Sequence, residues 1–426
     1  ELSDITVTNG SLASLTYVGS NAYNGSITPT TTGTITVNID EDKVESRAYY
    51  GNAAASQFTI EYNNGPVWHV STSGSDSTNN GSSNYPFATI QAGIDASSDG
   101  DTVLVAAGTY VENLDLNGKS ITLTGEDRET TIIDGNSNGS VITVNDALSG
   151  IAKIKGLTIQ NGTGLVGGWP GTEGPVGGGI LVVYNNVLLE DLIIQNNTAN
   201  YGGGIFMQSN ESTLVDLFIK NVIFSSNSGI LESSAAWIRL SNTTLDVIDC
   251  EFRDNEGTPD VTSLSGGDIS VNIESSIFEQ NNGALRLYGS GTESSFNIRN
   301  TTFLNNISSW RGGGLRLDGP TYSALIDSCI FTGNETTMET TGGGAISVEN
   351  DGDVTISNTS FTDNSATSDG GAVFINGPDV TITSSTFSGN TAINQGGGIY
   401  AINSNVTIDN STISGNLANQ TGGGIY

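Results

Sequence analysis

Two short motifs repeat in alternation over most of this chain, and the repetition limits the possible folds more than any other feature. The first motif is a run of small residues, most often Gly-Gly-Gly or Gly-Gly-Ala, that ends in an apolar residue. The apolar residue stands at Ile180, Ile205, Ile238, Val261, Leu285, Leu315, Ile346, Val373, Ile399 and Ile425, with weaker copies at 238, 261 and 285. Successive copies are 23 to 33 residues apart, and a period in this range is typical of solenoids.

The second motif lies between copies of the first and ends in Phe or Ile, followed three residues later by Asn. The Phe or Ile positions are Ile194, Phe224, Phe252, Phe278, Phe303, Phe331, Phe361, Phe387 and Ile413. The units alternate apolar and polar residues with a period of two and show no helical pattern, so each unit is one coil of short strands. The sequence therefore predicts an all-β fold, a parallel β-helix of roughly a dozen coils.

Stacked coils turn each repeated position into a ladder, since neighbouring strands lie about 4.8 Å apart. We expect the Phe ladder to fill the interior. We expect the Asn ladder, from Asn197 to Asn416, to occupy corners that need a left-handed residue, with amides bonded to the coils above and below. Cys250 and Cys329 each stand two residues before a ladder Phe. Both should point inward as free thiols, three coils apart and too distant for a disulfide.

The segment from Trp68 to about Ile133 carries a family resemblance. It contains Trp68-His69-Val70-Ser71, Tyr85-Pro86-Phe87, Gly100-Asp101-Thr102 and Gly108-Thr109-Tyr110. This block resembles the opening of right-handed parallel β-helix domains of the pectate-lyase type, which implies a right-handed solenoid over 65–426 and a helix at about 87–96 that caps the first coil. The chain stops inside a repeat at Tyr426, so further coils or a cap are expected to follow.

Residues 1–64 have a different pattern. Short alternating runs such as Gly33-Thr34-Ile35-Thr36-Val37 and Gln57-Phe58-Thr59-Ile60 are separated by turns such as Asn9-Gly10 and Asn24-Gly25. This pattern is typical of a small antiparallel sandwich. The segment resembles the bacterial Ig-like modules of large surface proteins, and we expect it to act as a spacer.

Charge and composition exclude several partners. The chain has 13 Lys and Arg against 45 Asp and Glu, a net charge of −32, which disfavours nucleic acids and anionic lipid surfaces. The sequence contains no run of 18 apolar residues, so it predicts no membrane-spanning segment. The acidity, the low Lys content and the abundance of Asn, Thr, Ser and Gly favour a secreted or cell-surface bacterial protein. The single histidine, His69, stands beside the predicted cap and far from the repeats, which excludes a His-dependent catalytic triad.

One stripe of residues is a candidate binding surface. If the apolar residue of the glycine motif points inward, the residue that follows it points outward. These outward residues stack from coil to coil and form a stripe. The stripe then holds Phe206, Arg239, Arg286, Arg316, Phe374 and Tyr400. Aromatic rings stack on sugar faces and Arg binds carboxylate or sulfate bidentately, so the stripe predicts a track for a polysaccharide or cell-surface glycan, preferably an anionic one. The alternative is that these are ordinary outward strand residues.

The family resemblance implies a second function, a polysaccharide lyase acting on uronates. Such enzymes use calcium and an Arg base, which here would be Arg286 or Arg316, with Asp318 and Glu349 as weak calcium ligands. Calcium needs six or more oxygens, and hydrolysis needs paired carboxylates; the coils show neither cluster. We therefore favour a non-catalytic glycan-binding or adhesin-like protein without a cofactor over the lyase. A structural stalk without a ligand is the third hypothesis.

Overall fold

The fold consists of two compact units, Glu1–Ala106 and Ala107–Tyr426. The computed structural model describes residues 5–19, 22–31, 33–39, 58–62, 66–145, 148, 150–167, 173–185, 187–208, 217–340 and 342–426. The predicted domain boundary at residues 64 and 65 falls on residues outside this description. Over the described residues, no helix has the length and apolar character needed to cross a membrane.

The first unit contains small antiparallel sheets. Its antiparallel strands are Thr6–Thr8, Gly33–Asn38 and Phe58–Tyr62 in one sheet and Gly10–Gly19 and Ala22–Pro29 in another. These strands confirm the antiparallel arrangement expected for the N-terminal segment, whereas its Ig-like character stays a prediction. Two further strands, Val67–Val70 and Thr102–Val105, pair in parallel.

The predicted helix near 87–96 is confirmed as Ile90–Ala96. It begins three residues late because Phe87 forms a β-bridge with Val70, and the Thr89 side chain then caps the helix by accepting a hydrogen bond from the Ala92 N–H at 3.3 Å. A Cβ atom on Gly93 would lie 3.0 Å from the side chains of Val70 and Val103, so glycine allows the helix to pack closely on both parallel strands.

The second unit is a solenoid of two sheets whose strands pair in parallel, except that Leu165–Val166 pairs antiparallel with Pro175–Val176. The ladder sheet contains Gly108–Val111, Thr122–Gly125, Thr131–Asp134, Ala152–Gln160, Val187–Gln195, Leu217–Ser225, Thr244–Ile248, Glu251–Arg253, Ser270–Glu274, Ile277–Glu279, Ser294–Arg299, Thr302–Leu304, Tyr322–Asp327, Ile330–Thr332, Gly352–Ser357, Ser360–Thr362, Asp379–Thr383, Thr386–Ser388, Val406–Asp409 and Thr412–Ser414. The groove sheet contains Leu114–Asp115, Ile142–Val144, Leu165–Val166, Pro175–Val176, Ile180–Val183, Thr198–Tyr201, Ile205–Gln208, Ser228–Glu232, Ala236–Ser241, Glu256–Gly267, Asn282–Gly289, Ile307–Ser308, Leu315–Asp318, Glu335–Thr336, Ile346–Glu349, Ser365–Ala366, Val373–Asn376, Thr391–Ala392, Ile399–Ile402 and Leu417–Ala418. The coils number about eleven, which confirms the predicted all-β parallel solenoid.

The Phe ladder of the ladder sheet forms the core, as predicted. From Phe224 to Phe387, successive rings are stacked with centroids 4.4–5.1 Å apart and interplanar angles of 2–11°. These side chains are almost completely buried. Because the strand spacing fixes the ring spacing, one aromatic residue per coil gives a continuous stack.

The Asn ladder is buried and joins successive coils. The Asn306 Nδ2 donates to the Phe278 carbonyl at 2.8 Å and to Asn334 Oδ1 at 2.9 Å, and its backbone N–H also donates to Asn334 Oδ1. The prediction that the ladder Asn is itself left-handed is wrong. The residue before it takes that conformation, as Asn305 does with φ of 53°, and the bend directs the next amide into the core.

The glycine motif turns the chain between two strands of the groove sheet. Gly312 has φ of +70°, a conformation that favours glycine. A Cβ atom on Gly313 would lie 2.1 Å from the Gly344 carbonyl oxygen in the next coil. Backbone conformation and the close approach of stacked coils therefore both require the motif.

The two cysteines are buried free thiols, as predicted. Burial raises the pKa of Cys250 to about 12 and that of Cys329 to about 11. The Cys250 Sγ donates to the carbonyls of Ile219 and Ile248, both at 3.3 Å. Both thiols therefore stay protonated and serve as small core residues.

Candidate functional site

The outer stripe of the groove sheet differs from the predicted one at two coils. The paired positions are Leu181, Phe206, Trp237, Ser263, Arg286, Arg316, Ser347, Phe374 and Tyr400. The prediction that Arg239 belongs to this stripe is wrong, since Arg239 pairs with Gln208 and Ser265. Arg239 therefore lies in the next outward column, two residues further along the strand.

Small residues other than glycine cause this shift. The Ile205 N–H donates to the Ala235 carbonyl, and Ile205 pairs with Ala236. The residue of this coil that aligns with Ile205 is thus Ala236 rather than Ile238, which aligns with Met207. In the following coil it is Thr262 rather than Val261, because the strand has a register irregularity next to Asp260.

The prediction that Phe206 and Phe374 offer exposed ring faces to a ligand is wrong. Phe206 is fully buried and Phe374 is 4% exposed. Phe206 stacks on Trp237 with centroids 4.6 Å apart, within an apolar cluster that includes Val176. Side chains of the strands Pro175–Val176 and Thr198–Tyr201 thus cover this end of the outward face.

Tyr400 keeps part of its ring accessible near the other end of the stripe. It is half-buried and stacks between Phe374 and Tyr426, with 5.4 Å between centroids in each pair. Only Tyr426 of these three rings is largely exposed, at 51%. Of the three predicted aromatic contacts, Phe206, Phe374 and Tyr400, only Tyr400 is therefore accessible to a ligand. The accessible part is the edge of its ring, because both faces are stacked.

Arg286 and Arg316 lie side by side in adjacent coils, as predicted. Both face the buried carboxylate of Asp318. The Arg316 Nη2 lies 2.5 Å from Asp318 Oδ2, and the Arg286 Nε lies 3.6 Å from Asp318 Oδ1. The Arg286 guanidinium carbon is 5.1 Å from the centroid of the Tyr288 ring, which places the cation over an aromatic face.

The carboxylates predicted as weak calcium ligands face arginines instead of each other. Glu349 forms an ion pair with Arg311, and its Oε1 accepts a hydrogen bond from the Ser347 hydroxyl at 2.8 Å. Over the described residues, there is no group of three or more His, Cys, Asp or Glu side chains that could hold a metal ion. The donor set of Asp318 and Glu349 therefore does not fit calcium, and the pairing of Arg286 and Arg316 with Asp318 gives no support to either as a base.

Asp260 belongs to the same cluster, although the sequence did not single it out. It is 3% exposed. Burial raises its pKa to about 7, against the lowering effect of the nearby Arg316 and Arg286 and with smaller raising effects of Asp318 and Glu232. The strand register is irregular on both sides of Asp260. The repeat pattern in the sequence therefore did not predict that Asp260 lies in this cluster.

We expect the titration of Asp260 to be visible in the stability of the protein. In the unfolded chain this carboxyl titrates near 3.8 and in the folded protein near 7. Between these values the folded state binds the extra proton, so the free energy of unfolding falls as pH rises from about 4 to about 7. The contribution is on the order of 4 kcal/mol.

Asp260→Asn removes this titration. Denaturant unfolding at pH 4 and pH 8 should show the variant gaining stability relative to the wild type as the pH rises. Asp246→Asn is the matched control, since Asp246 lies on the ladder sheet and accepts a hydrogen bond from Asn272 at 2.7 Å. Parallel stability curves for the wild type and Asp260→Asn would contradict the assignment.

Two neighbouring clefts lie on the groove sheet beside this cluster. One, of about 300 Å³, is lined by Glu232, Trp237, Arg239, Ser263, Ser265, Gly266, Arg286, Tyr288 and Ser290. The other, of about 420 Å³, is lined by Tyr288, Gly319, Pro320, Asn350 and Asp351. Tyr288 lines both clefts, so they form one groove, here called the Tyr288 groove. It spans five coils, which is about 19 Å at the strand spacing.

The chain was compared with curated proteins and with solved structures. No curated protein matches the chain. Among solved structures, a pectin methylesterase from carrot shares 13% identity, with 64% of this chain and 76% of that chain covered and a TM-score of 0.31. The catalytic domain of a GH87 α-1,3-glucanase in complex with nigerose shares 11% identity, with 99% and 83% covered and a TM-score of 0.43. The GH136 lacto-N-biosidase from Eubacterium ramulus shares 12% identity, with 84% and 68% covered and a TM-score of 0.31.

A family model matches the C-terminal part of the chain. Residues 292–426 match the family described as the right handed beta helix region. This segment contains the last coils of both sheets, which pair in parallel like the coils before them. The match and the pairing together identify the second unit as a right-handed parallel β-helix.

Proposed function

We propose that this chain is a secreted or cell-surface polysaccharide-binding protein that holds its glycan in the Tyr288 groove. The observation that carries the proposal is the lining of the 300 Å³ cleft. The aromatic residue Tyr288 lines it together with Arg239, Arg286 and Glu232, whereas Trp237, also in the lining, is only 8% exposed and stacks on Phe206. Sugars present apolar ring faces and polar edges, and this combination of side chains matches both.

The polar groups of the cleft are held in place by their neighbours. The Trp237 Nε1 donates to Glu232 Oε2 at 3.0 Å, which orients both side chains. Arg286 is held between the Asp318 carboxylate and the Tyr288 ring. Groups that are already ordered lose little conformational freedom when a ligand binds.

The length of the groove favours a polymer over a single sugar. Its lining residues come from five successive coils and lie on strands of the groove sheet or on the turns that follow them. A polysaccharide that runs along the solenoid axis would therefore contact repeated outward positions, as expected for the long binding surfaces of solenoids. In this proposal the protein acts as an adhesin, with the N-terminal sheets as an Ig-like spacer module.

The test is binding to a panel of neutral, uronate-containing and sulfated polysaccharides by affinity electrophoresis and calorimetry. Tyr288→Ala should weaken binding of the preferred polymer at least about tenfold, as for other central aromatic contacts. Ile330→Ala is the control, since Ile330 is 47% exposed on the ladder sheet. Equal affinities of Tyr288→Ala and the wild type would contradict the placement of the glycan in this groove.

The same panel separates binding from catalysis. Polymer size and unsaturated product are followed in the presence of calcium and in the presence of a chelator. We expect binding without a change in polymer length under either condition. Calcium-dependent cleavage would overturn the non-catalytic proposal and favour the lyase.

A further inference from the structure

Unpartnered polar atoms are concentrated beside the Tyr288 groove. The buried atoms without a hydrogen-bond partner among the described residues include Asp260 Oδ1, Arg286 Nε, Arg316 Nε and Asp318 Oδ1. Asp260 and Asp318 are 3% and 4% exposed. A buried polar atom without a partner is costly, and four in one cluster indicate a site that a ligand completes.

These atoms include both donors and acceptors. The Arg286 Nε, a donor, lies 3.6 Å from Asp318 Oδ1, an acceptor, and this separation is too long for a hydrogen bond between them. A hydroxyl group beside both atoms can accept from Nε and donate to Oδ1. A carboxylate or sulfate can use only the donor, because it has no proton to give to Asp318.

The charges of the cluster also disfavour an anionic ligand. Asp318 faces both Arg286 and Arg316, and Glu349 faces Arg311. Glu232 and Asp351 add further negative charge to the groove lining, in a chain of net charge −32. The guanidinium groups are therefore already balanced by carboxylates, and the groove offers no excess of positive charge.

We infer that the Tyr288 groove selects neutral polysaccharides, in which a hydroxyl group pairs with Arg286 Nε and Asp318 Oδ1. The inference rests on the proposed function and narrows its ligand class. It replaces the expectation of an anionic glycan, because that expectation counted the arginines of the stripe without the carboxylates that face them.

The experiment compares neutral glucans, mannans and galactans with uronate-containing and sulfated polymers, using the whole chain at low and high salt. We expect a neutral polymer to bind with an affinity that changes less than about twofold between the two salt concentrations. Asp318→Asn, which removes an acceptor, and Arg286→Lys, which keeps the charge but removes Nε, should each weaken binding about tenfold or more.

Asp246→Asn is the control and should bind like the wild type, and thermal unfolding of each variant shows whether it is folded. If Asp318→Asn fails to fold, Arg286→Lys carries the test. Binding of anionic polymers alone, with an affinity that falls steeply with salt, would overturn the inference and leave the proposed function intact. Neutral binding unchanged in both Asp318→Asn and Arg286→Lys would also overturn it. No binding of any polymer would instead contradict the proposed function.

Discussion

Phe303→Ala should lower the free energy of unfolding by about 4 kcal/mol, as expected for removal of a buried aromatic side chain. Phe303 is fully buried. Its ring stacks between those of Phe278 at 5.0 Å and Phe331 at 4.5 Å, so the substitution removes two stacking contacts and leaves a cavity within the core. Each coil of a solenoid depends on its neighbours, and the defect therefore weakens two interfaces between coils.

Urea unfolding followed by circular dichroism and Trp fluorescence measures the loss. Leu304→Ala is the matched control, because Leu304 is the next residue of the same strand, lies on its outer side and is only half-buried. It should cost less than about 1 kcal/mol. Phe303→Leu should fall between the two, since Leu fills part of the cavity. A loss in Phe303→Ala no greater than that in Leu304→Ala would contradict the ladder as the main source of stability.

The ladders could be predicted because their physics depends on the period alone. One Phe per coil, such as Phe278 and Phe303, must stack when strands lie one above another. An Asn three residues later then lies at the same corner in every coil, where its amide bonds along the axis. Both the Phe ladder and the Asn ladder follow from residue type and spacing alone, and the structure confirms both ladders.

The register at two coils could not be predicted, because the glycine motif changes there. Ala235 takes the place of Gly204 as hydrogen-bond partner to the turn, and both are small enough for the close approach of the coils. The sequence alone placed Ile238 in this position, as the apolar residue that follows Ala235-Ala236-Trp237 in a weaker copy of the glycine motif. The predicted register was therefore two residues off in this coil, and the prediction placed Arg239 in the column that Trp237 occupies.

Exposure was the least predictable property of the site. A position that points out of a sheet is exposed only where no other segment covers it. Val176 and Tyr201 pack against the outward side chains near Phe206, and these contacts depend on the path of the turns. The buried carboxylate of Asp260 interacts with Arg286 and Arg316. Counting the charged residues along one stripe could not predict this contact, because Asp260 is not part of the stripe.

Asn281→Ala should destabilise the protein by about as much as Phe303→Ala, roughly 4 kcal/mol, for a different reason. The Asn281 Nδ2 donates to the Phe252 carbonyl at 2.8 Å and to Asn306 Oδ1 at 2.9 Å. Its Oδ1 accepts from the backbone N–H of Asn255 at 3.2 Å and from the Asn255 Nδ2 at 3.0 Å. Alanine removes all four hydrogen bonds and leaves their partners buried.

Asn297→Ala separates this effect from the loss of any amide. Asn297 lies on the outer side of a neighbouring strand, is half-buried, and donates one hydrogen bond, to Asn272 Oδ1 at 3.0 Å. Its partner keeps access to water, so the cost should stay below about 1 kcal/mol. Unfolding in urea compares the two variants directly. Equal losses would mean that the Asn ladder follows from the repeat without holding the coils together, whereas a loss several times larger in Asn281→Ala would show that buried amides join the coils as strongly as the stacked rings do.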